Sequence, residues 1–381
     1  MIFIGPIEIS NYYRELHRAL NNLNVKSDLV LFNEAPFLKK SKKSFFYLSN
    51  LIQIISLKKN NAKFLNYFLL AFLVENLRII YFLYAIFKYK TFIFTFGQSL
   101  LYKNMDLPIL KFFNKQILFN VGHGDESRPA YLSGCYFDKF GTSPSNKVIH
   151  KFTRDNHLRV KKIQKYADKL ISSRATSHFL SKNFFDFLEI GIPSIDKLQE
   201  SFVIDKQSSD KILLTHIPSN IFTKGTNEID QIIDELKQRN LNFDYIKLTD
   251  VPNDEALEVI KKSHIVIDQM YTDTPINGIG VEAMSLGCIY IAAVANKEAI
   301  LKNYHNSSYF RFVNSLCADK GEVLEKLTNL FFNREERIKI SLKALSFVKN
   351  EWSNEKIAAR YLDIINNFLY KFFAIITFVI I

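Results

Sequence analysis

Two stretches, HIPSNIFTKGT at 216–226 and NGIGVEAMSLG at 277–287, decide how this chain is read. The first follows the apolar run KILLTH (211–216); the second closes the loop that leaves HIVID (264–268). Short apolar runs bounded by turn residues read as buried strands. After the first stretch, Ile229, Ile232, Ile233 and Leu236 fall at the i, i+3, i+4, i+7 positions of one helical face. Both stretches are therefore strand-to-helix loops. In the first, Ser219 lies in the turn, Gly225 lets backbone approach closely, and Thr226 can cap the helix. The positive helix end attracts an anion, and Lys224 adds a mobile charge on the same side. In the second, Gly278 and Gly280 free the backbone around Ile279 at another helix start. Glu282 lies one turn in, where a carboxylate can take both hydroxyls of a ribose. Taken singly, Lys224 also reads as a surface lysine, and Glu282 as a first-turn acid complementing the dipole. Gly278-Ile279-Gly280 lacks the third glycine of a dinucleotide fingerprint.

Outward from these loops the pattern repeats. FDYIKLT (243–249) and CIYIAAV (288–294) read as further strands, and 253–263 as a helix with Asn253 as N-cap. The first half alternates in the same way. Strands are predicted at 1–4, 27–32, 91–96, 116–121 and 169–173, and helices at 8–20, 65–88, 107–114 and 154–167. At 381 residues the chain exceeds what one core usually supports. The reading is α/β, with two Rossmann-like doubly wound domains facing each other across a cleft. The mixed Gly, Pro, Ser and charged segment at 190–210 makes the boundary, giving 1–196 and 197–355.

The formal net charge is +12. Seven lysines (Lys39, Lys40, Lys42, Lys43, Lys58, Lys59 and Lys63) lie between Glu34 and Glu75 without one acid. Phe37, Phe45, Phe46 and Tyr47 are interleaved with them, which suits an anionic membrane surface along 37–63 or a solvated basic face. No recognition motif accompanies the charge, so nucleic acid is not expected as a partner. Residues 65–87 are long enough to span a bilayer. A central charge there costs ~2.5–3.5 kcal/mol, and Glu75 and Arg78 sit mid-run, so a largely buried helix is expected. The apolar 372–381 is too short to span. Met1-Ile2-Phe3-Ile4 has no charged leader, and three scattered cysteines, Cys135, Cys288 and Cys317, form no Cys-x-x-Cys pair. A reducing cytoplasm is expected.

Taken jointly, the two stretches resemble the donor-binding domain of the family 4 glycosyltransferases, group 1, which are retaining enzymes of type B architecture. The resemblance is carried by Lys224-Gly225 before a helix and by Glu282 in EAMSLG, and covers about 211–300. It implies that Lys224 and Gly225 contact the donor diphosphate and that Glu282 binds the nucleotide ribose. More weakly, 94–128 resembles the family's lead into a His-containing loop, which places His123 of GHGDESR near the transferred sugar. The chain departs from the family in two places. Thr274 stands where a Glu precedes Glu282 by eight residues, and Ile217-Pro218-Ser219-Asn220 replaces a Gly-Arg.

The resemblance implies a nucleotide diphosphate-sugar donor and a glycan or lipid-linked glycan acceptor. His123, Lys224 and Glu282 form the catalytic set. Ser219, Gly225, Thr226, Val251, Gly278, Ile279 and Gly280 surround the donor, with Val251 near the base. Gly5, Ile9 and Arg128 face the acceptor, and the C-terminal segment 356–381 returns to the first domain. No cofactor is expected, since the nucleotide-sugar is a substrate. The chain has no Asp-x-Asp pair, so no metal is expected either. The expected setting is the cytoplasmic side of the plasma membrane, in bacterial surface-polysaccharide assembly. Two alternatives remain: a nucleotide-sugar epimerase of the same fold, and a non-catalytic nucleotide-sugar-binding subunit.

Overall fold

The computed structural model describes residues 1–32, 47–60, 62–138, 141–194, 197–304 and 316–379, with side chains described no further than Asn366. Lys39, Lys40, Lys42 and Lys43, with Phe37, Phe45 and Phe46, lie outside the described residues. So do the side chains of the apolar 372–381 segment.

The first half runs β1 (Ile2–Gly5), α1 (Tyr12–Asn22), β2 (Ser27–Leu29), α2 (Tyr47–Asn60), α3 (Phe64–Lys88), β3 (Thr91–Thr95), α4 (Leu107–Phe112), β4 (Gln116–Asn120), α5 (Asn146–Tyr166), β5 (Lys169–Ser172), β6 (Phe185–Asp186) and α6 (Phe187–Ile190). Its strands form one parallel sheet in the order β2-β1-β3-β4-β5-β6. The second half runs α7 (Glu200–Gln207), β7 (Ile212–His216), α8 (Thr226–Gln238), β8 (Phe243–Lys247), α9 (Asn253–Lys262), β9 (Ile265–Ile267), α10 (Gly278–Ser285), β10 (Ile289–Ala293), α11 (Lys297–Tyr304), β11 (Leu316–Cys317), α12 (Lys320–Phe332), α13 (Arg334–Asn350) and α14 (Asn354–Val379). Its sheet, also parallel, has the order β11-β10-β9-β7-β8.

Parallel strands covered on both faces read as near-continuous apolar runs, and β3 and β10 are buried throughout. Side-chain alternation then sorts residues between two cores. Phe3, Phe92, Phe94 and Phe119 point to the layer that holds α2 and α3. Ile4, Ile93, Leu118 and Ile171 point to the layer of α1 and α14. Each such buried side chain contributes about 1.5–3 kcal/mol. The α14 helix packs on α1, where the Tyr12 and Tyr361 hydroxyls lie 3.2 Å apart, and Gln116 donates to the Ile365 carbonyl at 2.6 Å.

Three local expectations change. Helix α3 is not largely buried, since Phe72 is 73% and Phe87 84% exposed. Thr226 does not cap α8; Gly225 does, at φ 64°, a left-handed value where a Cβ is strained. Asn253 is the first residue of α9, and Pro252 takes the cap position. The boundary segment contains a helix, α7, whose Val203 is fully buried and packs against Gly287.

Candidate active site

Strands β7 and β9 end at one edge of the second sheet, where the loops leaving them converge on Asp268, and Tyr290 reaches it from β10. This carboxylate is fully buried. It accepts a hydrogen bond from Lys224 Nζ at 2.7 Å, from Asn277 Nδ2 at 2.7 Å and from the Tyr290 hydroxyl at 3.0 Å. Burial alone would raise its pKa, but the Lys224 ammonium, with Asn277 and Tyr290, overrides it and holds the carboxyl below its usual range. Lys224 is therefore a positioned cation, with 16% of its side chain exposed. Asn277 in turn stands at the cap of α10. Thr274, at the position of the family's upstream Glu, donates its hydroxyl to Asn277 Oδ1 at 3.0 Å. It fastens the loop to the helix start.

The turn before α8 behaves differently from its sequence reading. Lys224, Gly225 and Thr226 donate their amides to the carbonyls of Asn220, Phe222 and Ile221, so these groups are not aimed at a ligand. The Thr226 hydroxyl meets His216 Nε2 at 2.9 Å, while His216 Nδ1 lies 2.8 Å from the Ile267 carbonyl. Since a carbonyl can only accept, Nδ1 carries the proton and Thr226 donates to Nε2. Gly225 is needed because a Cβ there would stand 2.7 Å from Met270 Cβ. Gly225 and Thr226 thus hold the turn itself together. Ser219 stays exposed in the same loop, and Val251 is half-buried between β8 and α9.

The start of α10 keeps its amides. Gly280 and Val281 donate to the Asn277 carbonyl, which leaves Gly278 and Ile279 as the first-turn donors without an acceptor in the helix. Gly278 faces Ser10 across the cleft. Gly280 serves packing instead, since a Cβ there would come 2.8 Å from the Tyr290 ring. Glu282 follows on the same helix. Its carboxylate accepts from Asn253 Nδ2 at 3.4 Å, and burial raises its pKa to about 7 against that hydrogen bond. Beside it opens a cavity of about 230 Å³, walled by Lys197, Leu198, Leu257, Lys261 and Ser285. Among the described residues Lys224 is not part of that wall. What joins Lys224 to Glu282 is α10 itself, through Asp268 and Asn277.

The first sheet presents its own strand ends to this edge. Glu8, fully buried, accepts the amides of Ile9, Tyr13 and Arg14 at 2.8, 3.0 and 2.9 Å and so closes the start of α1. Ile9 thus offers no free amide. At Gly5 a Cβ would overlap the Val30 carbonyl, so this glycine is required by the neighbouring chain. His123, in the loop after β4, is half-buried; its Nε2 lies 2.6 Å from the Tyr13 hydroxyl, and its ring packs edge-on to Tyr12, Tyr13 and Phe187. Burial pushes its pKa down to about 3, so the imidazole is neutral.

Arg128 is not a free cation. It is paired with Asp125 in its own loop and reaches across the cleft to Asp273. A second crossing runs from Asn11 Nδ2 to Asn253 Oδ1 at 2.9 Å, and so on to Glu282. Asp268, Asn277, Tyr290 and Asn253 were missed as site residues from sequence. Asp268 alone left a signal there, as an acid ending an otherwise apolar strand.

No family model matches this chain, and no curated protein matches it. Solved structures do. HepE (Alr3699) of Anabaena in complex with UDP-glucose is similar over 96% of this chain and 99% of its own, at 12% identity and TM-score 0.54. Sucrose-phosphate synthase of Thermosynechococcus elongatus is similar over 98% and 99%, at 12% identity and TM-score 0.53. The trehalose-6-phosphate synthase OtsA is similar over 95% and 98%, at 9% identity and TM-score 0.53. At such identities the likeness is one of fold. The chain has the type B glycosyltransferase fold of two Rossmann-like domains.

Proposed function

We propose that this protein transfers a sugar from a nucleotide diphosphate-sugar to a glycan or lipid-linked glycan acceptor, with retention of anomeric configuration. The observation that carries the reading is the start of α10. One short helix links a buried-carboxylate-anchored cation, Lys224, two first-turn amides, Gly278 and Ile279, and the carboxyl of Glu282. A departing diphosphate needs preorganised positive charge, and one such donor is typically worth 10²–10³ in rate. Lys224 and the α10 amides supply it, without a metal ion in this reading. Val251 and Ser219 flank the donor. Neutral His123 acts beside the sugar as a hydrogen-bonding group rather than a cation. The acceptor hydroxyl attacks the anomeric carbon on the face from which the nucleoside diphosphate leaves and gives its proton to that departing diphosphate, which gives retention.

The acceptor approaches from the first domain, near Gly5, Ile9 and the Arg128–Asp273 pair. The setting that suits these substrates is the cytoplasmic side of the membrane, in surface-polysaccharide assembly. Incubation with a panel of nucleotide-sugars, beginning with UDP-glucose, tests the reading. Acceptor-dependent release of nucleoside diphosphate, with an anomeric centre unchanged by NMR, is the expected result. Altered sugar formed without any acceptor would indicate an epimerase. Nucleotide binding without turnover on any acceptor would indicate a binding subunit.

A further inference from the structure

Helix α3 has two faces, and the core accounts for one of them. Val74, Tyr81, Phe82, Ala85 and Ile86 are buried in the layer that holds Phe3, Phe92 and Phe94. On the other side Leu69, Phe72, Ile79, Ile80, Leu83 and Phe87 are between 46% and 84% exposed. At 1.5 Å per residue these six positions span roughly 27 Å of one face, with the exposed Asn76 between Phe72 and Ile79 turning its amide back to the Phe72 carbonyl. Leu51 and Ile54 of the adjoining α2 add exposed apolar surface. A soluble monomer rarely leaves so much apolar side chain on one face to water.

The charges on α3 are drawn away from this stripe. Arg78 pairs with Glu75 at 3.1 Å and lies over the Phe32 ring, its side chain only 12% exposed. The charge that does accompany the stripe is at the turn joining the two helices, where Lys58, Lys59 and Lys63 gather without an acid between Lys58 and Glu75. An apolar face beside a purely basic cluster is complementary to anionic lipid. A second copy of the chain would bring another cluster of the same sign. Although Leu65–Lys88 has the length and hydropathy to cross a bilayer, crossing would strip its inner face from the sheet. The helix is suited to lying in the interface plane.

We propose that the α2–α3 hairpin docks this protein on an anionic bilayer, with the outer face of α3 at the acyl boundary and Lys58, Lys59 and Lys63 on lipid phosphates. This does not rest on the sugar-transfer reading. Flotation of the full chain with vesicles of phosphatidylcholine, with and without phosphatidylglycerol, tests it. The protein should float with the anionic vesicles and do so less at high salt. Phe72→Ser with Phe87→Ser should abolish flotation while leaving Tm and nucleotide binding unchanged. Replacing the three lysines by Gln should weaken partition on the order of a hundredfold. The proposal is overturned if the wild type ignores both vesicle types, or if the Phe72→Ser/Phe87→Ser variant floats equally well. It is also overturned if sedimentation shows a dimer that these two substitutions dissolve.

Discussion

Lys224 Nζ lies 2.7 Å from Asp268 Oδ1, and the other oxygen of that carboxylate holds Asn277 at the start of α10. One buried acid thus fixes both the cation and the helix that frame the proposed diphosphate site. Asp268→Asn leaves Lys224 beside a neutral group, and breaking such a buried pair costs about 3–5 kcal/mol. Because the carboxyl is held below its usual range, its contribution is present above the unfolded pKa and is lost as pH falls through the folded one. Denaturation curves of wild type and variant should therefore differ at neutral pH and begin to converge only as pH falls below about 4. Parallel curves at all pH values would show that the pair is not ionised in the folded protein.

Glu282 titrates in the opposite sense. Burial raises its pKa to about 7, so the buried neutral form favours the fold at low pH and that contribution fades as pH rises through 7. The loss is at most about 1.4 kcal/mol per pH unit between the unfolded and folded pKa. Glu282→Gln should raise Tm at pH 8 relative to wild type and change it little at pH 5. Calorimetry at the two pH values reads this directly. An equal change at both would mean the side chain is ionised throughout.

The two glycines of α10 should separate cleanly. A Cβ on Gly280 meets the Tyr290 ring at 2.8 Å, and Tyr290 holds Asp268, so Gly280→Ala should cost about 1–3 kcal/mol. A Cβ on Gly278 comes no closer than 3.4 Å to Ser10, and within a helix alanine gains up to about 1 kcal/mol over glycine. Gly278→Ala should thus leave stability equal or higher. Urea midpoints for the two variants in the reverse order would contradict this packing.

Across the cleft, the partly exposed Arg128–Asp273 pair should add little to global stability, on the order of 1 kcal/mol or less. Its effect should lie in domain spacing. Asp273→Ala is expected to increase the radius of gyration in solution scattering while Tm hardly moves. An unchanged scattering curve would mean that the remaining contacts, such as Asn11 with Asn253, suffice to hold the domains.

Most strands could be placed from sequence because a doubly covered parallel strand is a nearly unbroken apolar run, as IYIAA is and as the Phe-Ile-Phe centre of TFIFT is. The loops around Lys224 and Glu282 were recognisable for a similar local reason. What sequence could not give was contact between distant positions. Asn11 and Asn253 are 242 residues apart, and the Arg128–Asp273 pair spans 145. Thr226 was misjudged because its hydroxyl had a competing partner, His216, on the preceding strand. Helix α3 was misjudged for a different reason. Glu75 and Arg78 read as a charge cost that favours a buried helix, whereas they pair with each other and leave the outer face largely apolar.

The most direct test is calorimetric titration of nucleoside, nucleoside diphosphate and nucleotide-sugar into wild type, Lys224→Ala and Glu282→Ala. If both side chains serve one donor, Glu282→Ala should weaken all three ligands. Lys224→Ala should weaken only the two that carry phosphate, by roughly tenfold or more for a charge-assisted contact. Affinities untouched by either substitution, in protein that remains folded, would contradict a shared donor site at the start of α10.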